Sequence, residues 1–345
     1  MIDYHTRVCL ISNYRDNTGG SFRKCAEYTY SYLSTKFDVC HLYIDHLFSA
    51  KFFIQIIRFR PNIIHYIAGT SLKSFILLKL LSFLSPGCKT IITAIQPSYT
   101  ATGKTLIPSF RPDLVLCQSK YTAKELKLLR CQVKLLVGGV DTGKFIKSDQ
   151  NIKQSLREKY GLPVNDFIVL TIIPVRRSSD TAHVIDIAAA YMGRINVQVV
   201  VVVNVATQPI QSIIEPIVNC GCRIYTSFIS NIEEFYMLSD CFIFTTPADI
   251  GYRQYRMEFP LSILEAMSCN LPIITTRFGA IYENLNGIEG IYFADNSIEF
   301  IRCIELIMDG CELNIRAKCA QYDWSVYFDQ LRCVYMSLLG DEYGN

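Results

Sequence analysis

The stretch of sequence that decides the fold is EFPLSILEAMSCNLPIITTRFG, residues 258–279. After Pro260, apolar residues recur with helical spacing, and proline suits the first helical position because its missing N–H would have no partner there. Asn270 and Pro272 end the helix, and residues 272–276 are apolar enough for a strand buried on both faces. The stretch therefore predicts a loop, a helix, a turn and a buried strand.

Glu265 lies in this short helix, and the packing pattern around it does not explain a carboxylate there. A helix start at the carboxyl edge of a parallel sheet is a natural phosphate site. A carboxylate beside such a site suits hydroxyl groups, as on a ribose. The alternative is a solvated glutamate on an ordinary helix.

Strands alternate with helices along the whole chain, the pattern of doubly wound parallel sheets. Predicted strands cover residues 7–12, 62–67, 90–95, 114–118 and 133–137 in the first half, and 167–175, 197–205, 223–226, 241–246, 272–276 and 290–293 in the second. A helix is expected at 21–35, and the polar residues 147–159 are predicted to be a linker. The length of 345 residues also favours two α/β domains over one core.

The composition argues against a membrane-spanning, secreted or metal-binding protein. No apolar run reaches the roughly 18–20 residues that span a bilayer, and the N-terminal sequence MIDYHTRVCLIS lacks the long apolar region of a signal peptide. The 14 cysteines form no CxxC pair, so they are predicted to be reduced and mostly buried rather than metal ligands. We expect a cytoplasmic protein without a metal site.

The charge is distributed asymmetrically. Residues 1–150 carry a net charge of +11 and residues 151–345 a net charge of −8. The first half therefore suits an anionic partner, but no helix-turn-helix, aromatic RNA-binding signature or zinc-finger spacing supports nucleic acid. The apolar and basic segments 52–60 and 72–84 favour peripheral docking on an anionic membrane surface. The alternative is that both segments only cover the first sheet.

The stretch 258–279 resembles the C-terminal domain of the retaining, nucleotide-sugar-dependent glycosyltransferases of the GT-B architecture, glycosyltransferase family 4. That family has a Glu, seven residues and a second Glu in an EAM sequence, and Glu265 falls on the second acidic position. Met257 occupies the first position, with Glu258 one place later. GVDTGKF at 139–145 resembles the family's GVDxxxF signature.

The resemblance implies two Rossmann-like domains that face a central cleft. Residues 1–150 would form the acceptor-side domain and 151–325 the nucleotide-sugar-binding domain, while a helix within 326–345 would return to the first domain. The implied reaction moves a sugar from a nucleotide diphosphate to a glycan or lipid-linked acceptor with retention, as in polysaccharide or glycolipid biosynthesis. No cofactor is implied, and the metal-binding DxD motif of other transferases is absent from the sequence.

Site residues follow from the same resemblance. Glu258 would contact the sugar, and His65 would stand in for a family histidine where this chain has Gln96. The implied donor-binding residues are Glu265, Arg176, Arg177, Gly19, Gly20, Gly279, Phe228 and Arg256. The blander alternatives are an ordinary glycine turn, solvated loop arginines and a core histidine.

The sequence is also compatible with other functions. The displaced first Glu and the missing histidine also fit a degenerate GT-B protein that acts as partner or scaffold of an active transferase. A GT-B epimerase or phosphorylase is a weaker alternative, since a phosphorylase needs a much longer chain. A dinucleotide-binding oxidoreductase is weaker still, because no GxGxxG follows the first strand of either domain.

Overall fold

The computed structural model describes residues 6–12, 21–95, 107–173, 181–193, 196–203, 211–226, 229–246, 258–310 and 313–340. The chain divides into two compact units. The first unit is built from three segments, Met1–Gly139, Gln254–Phe259 and Trp324–Asn345. The second unit is built from Val140–Arg253 and Pro260–Asp323.

The first unit is a parallel sheet with helices on both faces. Its strands are β1 Arg7–Ser12, β2 Asp38–Tyr43, β3 Ile63–Ala68, β4 Lys89–Ala94, β5 Leu114–Cys117 and β6 Val133–Leu135. Its helices are α1 Ser21–Leu33, α2 Ala50–Phe59, α3 Leu72–Leu84, α4 Ile107–Phe110, α5 Lys120–Leu128 and, from the end of the chain, α14 Trp324–Leu339. The strands lie in the order β2-β1-β3-β4-β5-β6, and every described pairing is parallel.

The second unit repeats this architecture. Its strands are β7 Phe167–Ile172, β8 Val197–Val202, β9 Arg223–Tyr225, β10 Cys241–Phe244, β11 Ile273–Thr275 and β12 Ile291–Phe293. Its helices are α6 Gln150–Lys159, α7 Ala182–Tyr191, α8 Gln211–Asn219, α9 Glu233–Leu238, α10 Leu261–Ser268, α11 Gly279–Leu285, α12 Ser297–Met308 and α13 Ile315–Cys319. The parallel strands lie in the order β9-β8-β7-β10-β11-β12, the doubly wound order of Rossmann domains.

The strand sequences explain why both sheets are buried. β5 is LVLC and β10 is CFIF, and every residue of these two strands is buried. Continuous apolar runs of this kind are typical of parallel strands that helices cover on both faces. Each sheet reverses its winding direction once, between β1 and β3 in the first unit and between β7 and β10 in the second. Ligands of doubly wound folds bind beyond the carboxyl ends of strands at such points.

Helix α14 belongs to the core of the first unit. The Trp324 ring stacks on Tyr28 at 5.1 Å between centroids, and Phe328 stacks on Tyr32 at 4.5 Å. The predicted return of the C-terminal helix to the first domain is therefore confirmed, and so is the predicted class of two doubly wound parallel sheets.

Two details differ from the sequence-based expectation. Residues 150–159, predicted as part of a linker, form α6, because the Asp149 side chain accepts a hydrogen bond from Ile152 N and caps the helix. Strand β2 was not predicted, since DVCHLY at the sheet edge lacks a continuous apolar run. In the described parts of the chain, no helix is both long and apolar enough to cross a membrane.

Candidate functional site

The carboxyl edge of the second sheet carries polar side chains next to the point where its strand order reverses. Thr246 follows β10 and Thr276 follows β11, and their hydroxyl oxygens lie 2.7 Å apart. The apolar interior of the sheet thus gives way to hydrogen-bonding groups at the edge where a doubly wound fold binds its ligand.

Glu265 has a buried carboxyl group in this unit. It lies in α10 with 5% of its surface exposed, which excludes the alternative of a solvated glutamate. The hydroxyl of Tyr236, on α9, donates a hydrogen bond to Glu265 Oε2 at 2.8 Å. Burial raises the pKa of Tyr236 well above its usual value, and the Glu265 carboxyl raises it further. Tyr236 therefore remains a hydrogen-bond donor at any physiological pH.

The helix that carries Glu265 is tied down at its C-terminal end. Ser268 Oγ donates to Phe145 O at 2.5 Å, and the Arg316 guanidinium donates to the same carbonyl at 2.7 Å and to Thr142 O at 2.8 Å. Arg316 also donates to the carbonyl oxygen of Ser268. The GVDTGKF segment and α13 thus fix the end of α10 through backbone carbonyls.

Gly279 begins α11, four residues after the end of β11, and has φ of 49°, a conformation that glycine adopts without the strain imposed by a Cβ atom. The first N–H groups of a helix have no partner inside the helix. Nearby Arg277 forms an ion pair with Asp295 and lies over the rings of Tyr282 and Phe293, 5.9 and 5.8 Å from their centroids. This turn therefore holds a cation next to a helix start.

Glu258 lies in the first unit. The residue is 1% exposed, and its carboxyl group accepts hydrogen bonds from Gln118 N at 2.6 Å and Ser119 Oγ at 2.8 Å. Ser119 is also the N-cap of α5, where it accepts from Thr122 N. Burial raises the pKa of Glu258, and the hydrogen bonds from Thr122, Gln118 and Ser119 oppose that rise. The residue is anchored at the start of α5.

His65 lies in the core of the first unit. Its Nδ1 is 2.6 Å from the Tyr335 hydroxyl and its Nε2 is 2.7 Å from Thr93 Oγ1, so both ring nitrogens have partners. Burial lowers the pKa of His65 to about 3, which keeps the ring neutral. This environment matches the alternative of a core histidine.

Several predicted site residues lie outside the described residues: Gly19, Gly20, Arg176, Arg177, Phe228 and Arg256. Of the others, Glu265 and Gly279 belong to the second unit, and Glu258 and His65 to the first. Across the described residues, no group of three or more His, Cys, Asp or Glu side chains could hold a metal ion.

The sequence did not single out Tyr236 or Arg316. Tyr236 lies in a short apolar helix and its ring is buried in the core, so the sequence pattern gives no reason to single out its hydroxyl. A buried tyrosine hydroxyl usually has a hydrogen-bond partner, and this rule alone would have pointed to a polar contact at Tyr236. Nothing in the local sequence distinguishes Arg316 from a surface arginine.

Residues 182–309 match the family model described as glycosyl transferases group 1. Solved structures with the same fold include HepE from Anabaena in complex with UDP and glucose (TM-score 0.73, 16% identity, covering 96% of this chain and 100% of that one). A glycosyltransferase from Rickettsia africae ESF-5 has a TM-score of 0.73 and 14% identity, and the match covers 98% of this chain and 99% of that one. The sucrose-phosphate synthase of Thermosynechococcus elongatus has a TM-score of 0.73 and 15% identity, and the match covers 97% of this chain and 99% of that one.

No protein of curated function matches the sequence significantly. At these identities the structural likeness establishes the fold alone. The resemblance to group 1 glycosyltransferases and the GT-B fold class are nevertheless both confirmed, the first over residues 182–309 and the second over nearly the whole chain.

Proposed function

We infer that this chain, with a GT-B fold and a group 1 glycosyl transferase match at residues 182–309, is a glycosyltransferase that uses a nucleotide diphosphate sugar. The observation that carries the proposal is the buried Glu265 carboxyl group in the second unit, in the helix that follows β10 at the reversal of strand order. HepE, which has the same fold, binds UDP and glucose.

Donor binding is proposed to rest on the second unit. Glu265 accepts hydrogen bonds from hydroxyl groups of the nucleotide sugar, those of the ribose in particular. The hydrogen bond from the Tyr236 hydroxyl holds the Glu265 carboxyl group in position. The Gly279 turn and its N–H groups face the diphosphate, together with Arg176 or Arg177. Gly19, Gly20, Phe228 and Arg256 complete the donor-binding set that the family resemblance implies.

The proposed reaction retains the configuration of the sugar. The acceptor hydroxyl oxygen forms a bond to the anomeric carbon, the bond from that carbon to the diphosphate oxygen breaks, and the acceptor proton passes to the departing phosphate. The protein contributes positioning and stabilisation of the charge on the diphosphate. Glu258 is proposed to contact the transferred sugar, as the family resemblance implies, and its carboxyl group also accepts hydrogen bonds from Gln118 N and Ser119 Oγ.

The proposed acceptor is a glycan or a lipid-linked molecule, and the proposed partner surface is an anionic membrane. The net charge of +11 on residues 1–150 supports this assignment, because an anionic leaflet attracts basic surfaces over about a Debye length. Polysaccharide or glycolipid biosynthesis is the corresponding pathway class.

Titration calorimetry with a panel of nucleoside diphosphates and their sugars tests the donor site. We expect one base series to bind and Glu265→Ala to weaken that binding by at least about tenfold, the loss of one or more hydrogen bonds to a charged group. Glu305→Ala, a substitution on α12, serves as the control. If no nucleotide binds the wild-type protein, the transferase proposal fails.

One specific observation favours a second candidate. Met257 replaces the first acidic residue of the family pattern, and the next residue, Glu258, is engaged inside the first unit. These features fit a non-catalytic GT-B protein that binds a donor and acts as partner of an active transferase. Tight nucleotide binding with no release of free sugar and no transfer to any acceptor would favour this candidate.

A further inference from the structure

One helix of the first unit is apolar on the side that its own fold leaves uncovered. Helix α3 buries Phe75, Leu78 and Leu81 against the sheet. On its opposite side, Leu80 is 57% exposed and Phe83 is 68% exposed. A helix at the surface of a globular protein normally places polar residues on that side. We call the outward pair Leu80 and Phe83 the apolar ridge.

The neighbouring helix extends this surface. α2 packs on the same face of the sheet as α3, because the side chains of both helices enter one hydrophobic core. Its outward residues Ile54 and Ile57 are exposed as well. Neither helix contains an acidic residue, whereas Lys51 and Arg58 lie on α2 and lysines lie on α3. The shared surface is thus apolar and cationic.

A cationic cavity lies next to the apolar ridge. It has a volume of about 400 Å³, and Lys79, Lys89 and Arg111 line it together with the polar side chains of Ser82, Thr90 and Gln132. Asp113 is the acidic residue among the lining side chains, and it accepts hydrogen bonds from Thr90 N at 2.8 Å and Thr90 Oγ1 at 2.7 Å. Lys89 Nζ lies 3.9 Å from Asp113. The lining residues therefore carry a net positive charge of two.

We propose that this surface docks the protein on an anionic phospholipid leaflet, with a headgroup phosphate in the cationic cavity and the apolar ridge in the acyl boundary. Lys79 joins the two parts, since it lines the cavity and its Nζ lies 5.7 Å from the Phe83 ring centroid. A phospholipid has a matching pair of groups, an anionic phosphate next to apolar chains. A second copy of this chain that met this surface with the same face would bring the same positive charge and be repelled.

This assignment deepens the membrane association proposed above and does not depend on sugar transfer. The cavity lies at the amino edge of the first sheet, beside the start of β4 at Lys89. Ligands of doubly wound folds bind at the carboxyl edge. The headgroup cavity is therefore separate from a nucleotide site, and the two can be measured independently.

Vesicle flotation of the full-length protein tests the proposal. The vesicles are made of phosphatidylcholine alone or with about one third phosphatidylglycerol. We expect binding to the anionic vesicles only, and we expect Lys79→Gln and Arg111→Gln each to reduce partitioning about fivefold. The double variant Leu80→Ser with Phe83→Ser should reduce it by at least about tenfold, because it removes apolar area from the bilayer.

A matched control lies in the second unit. Arg302→Gln with Leu306→Ser on α12 removes one exposed cation and one leucine that is 56% exposed, and partitioning should not change. UDP binding without vesicles reports separately on the proposed function. Equal binding of wild type and both sets of variants, or equal binding to the two vesicle types, would overturn the proposal. So would a dimer that the Leu80→Ser and Phe83→Ser variant dissociates without any change in vesicle binding.

Discussion

At the scale of single residues, the hydrogen bond between Tyr236 and Glu265 holds a carboxyl group in place inside a buried environment. The two side chains are buried, and one hydroxyl donates to one carboxyl oxygen. Desolvation makes such a bond both stronger and more costly to lose than a bond at the surface. In the proposed donor site, Tyr236 would act on the ligand through Glu265, as a positioning residue.

Replacing Tyr236 by Phe tests this role. We expect Tyr236→Phe to lower the free energy of unfolding by about 1.5–3 kcal/mol and to weaken nucleotide binding, because the Glu265 carboxyl loses the hydrogen bond from the Tyr236 hydroxyl. Urea denaturation and titration calorimetry measure the two effects. Tyr225→Phe is the control, since the Tyr225 hydroxyl donates to the carbonyl of Tyr160 at 2.8 Å. It should lose stability and keep nucleotide affinity, whereas equal affinity in both variants would contradict the positioning role.

His65 predicts a dependence of stability on pH. Its pKa is about 3 in the folded protein, and an unfolded histidine titrates near 6.5. Below pH 6.5 the unfolded chain gains a proton that the folded one does not, so the free energy of unfolding falls by about 1.4 kcal/mol per pH unit from this residue. His41 acts in the same direction, since burial lowers its pKa to about 4.

The measurement is denaturant unfolding at pH 7 and pH 5. His65→Asn should reduce the loss of stability between these two pH values by about 2 kcal/mol, while His46→Asn, at an exposed position, should leave it unchanged. An unaltered pH dependence in His65→Asn, combined with a large loss of turnover, would instead point to a catalytic histidine.

At the scale of secondary-structure elements, Trp324 at the start of α14 packs directly against the backbone of Gly139. A Cβ atom at Gly139 would lie 2.5 Å from two ring atoms of Trp324 and 3.0 Å from its Cα. The ring cannot retreat easily, because it is stacked against Tyr28 and Phe328 at 5.1 and 5.3 Å. Position 139 therefore has no room for a side chain. The sequence pattern marks this segment as a family signature but does not show this packing constraint.

We expect Gly139→Ala to lower the free energy of unfolding by about 1–3 kcal/mol, the usual cost of overpacking. The control is Gly143→Ala in the same segment, where the nearest atom to an added Cβ is Asp141 Oδ1 at 3.4 Å. Thermal unfolding of both variants measures the difference. Equal melting temperatures would show that the Trp324 ring can move aside.

Helix α5 offers a second test at this scale. Ser119 caps the helix and also donates to Glu258, whereas Ser71 caps α3 through a hydrogen bond from Ser74 N at 3.2 Å. Ser71→Ala should cost about 1 kcal/mol, the value of a cap. Ser119→Ala should cost about 1–3 kcal/mol more, because a buried carboxyl group loses a donor. Similar losses in the two variants, measured by urea denaturation, would contradict this role for Glu258.

The strands and helices that could be predicted were those whose own sequence carries a clear pattern. Apolar runs located β1, β4 and β7 to within a few residues, because burial on both faces requires such runs. The edge strand β2 has half-exposed faces and gives a weaker pattern. The polar sequence of α6 was predicted as a linker because its stability comes from the Asp149 cap and from tertiary contacts, among them Arg157 Nη2 to Asp240 at 2.6 Å.

The candidate site was predictable only in part. Glu265 lies within a family pattern, so its position could be found from the sequence. The bonds of Glu258 could not, since its partners Gln118 and Ser119 lie about 140 residues earlier in the chain. His65 is paired with Tyr335 across 270 residues, and no local pattern reports such a pairing.

At the scale of the whole molecule, the two units differ in how the chain builds them. Apart from residues 254–259, the second unit is one continuous stretch, whereas the first needs α14 to close its core. We expect a fragment of residues 140–323 to unfold cooperatively, as measured by circular dichroism. Residues 1–139 alone should not, because they lack the aromatic side chains of α14; adding a peptide of residues 324–340 should restore folding. Cooperative unfolding of residues 1–139 without that peptide would contradict this expectation.

The late arrival of α14 also sets the order of events during protein synthesis. The ribosome makes the first sheet early, yet one face of that sheet is covered only in part, by α1, until about 185 further residues have emerged, at synthesis rates of about 5–20 residues per second. During that interval the second unit can complete its own folding. The unit whose synthesis begins first is therefore the last to finish folding. Newly made chains would therefore present an apolar sheet to chaperones for many seconds, and expression at lower temperature or with added chaperone capacity should raise the yield of folded protein.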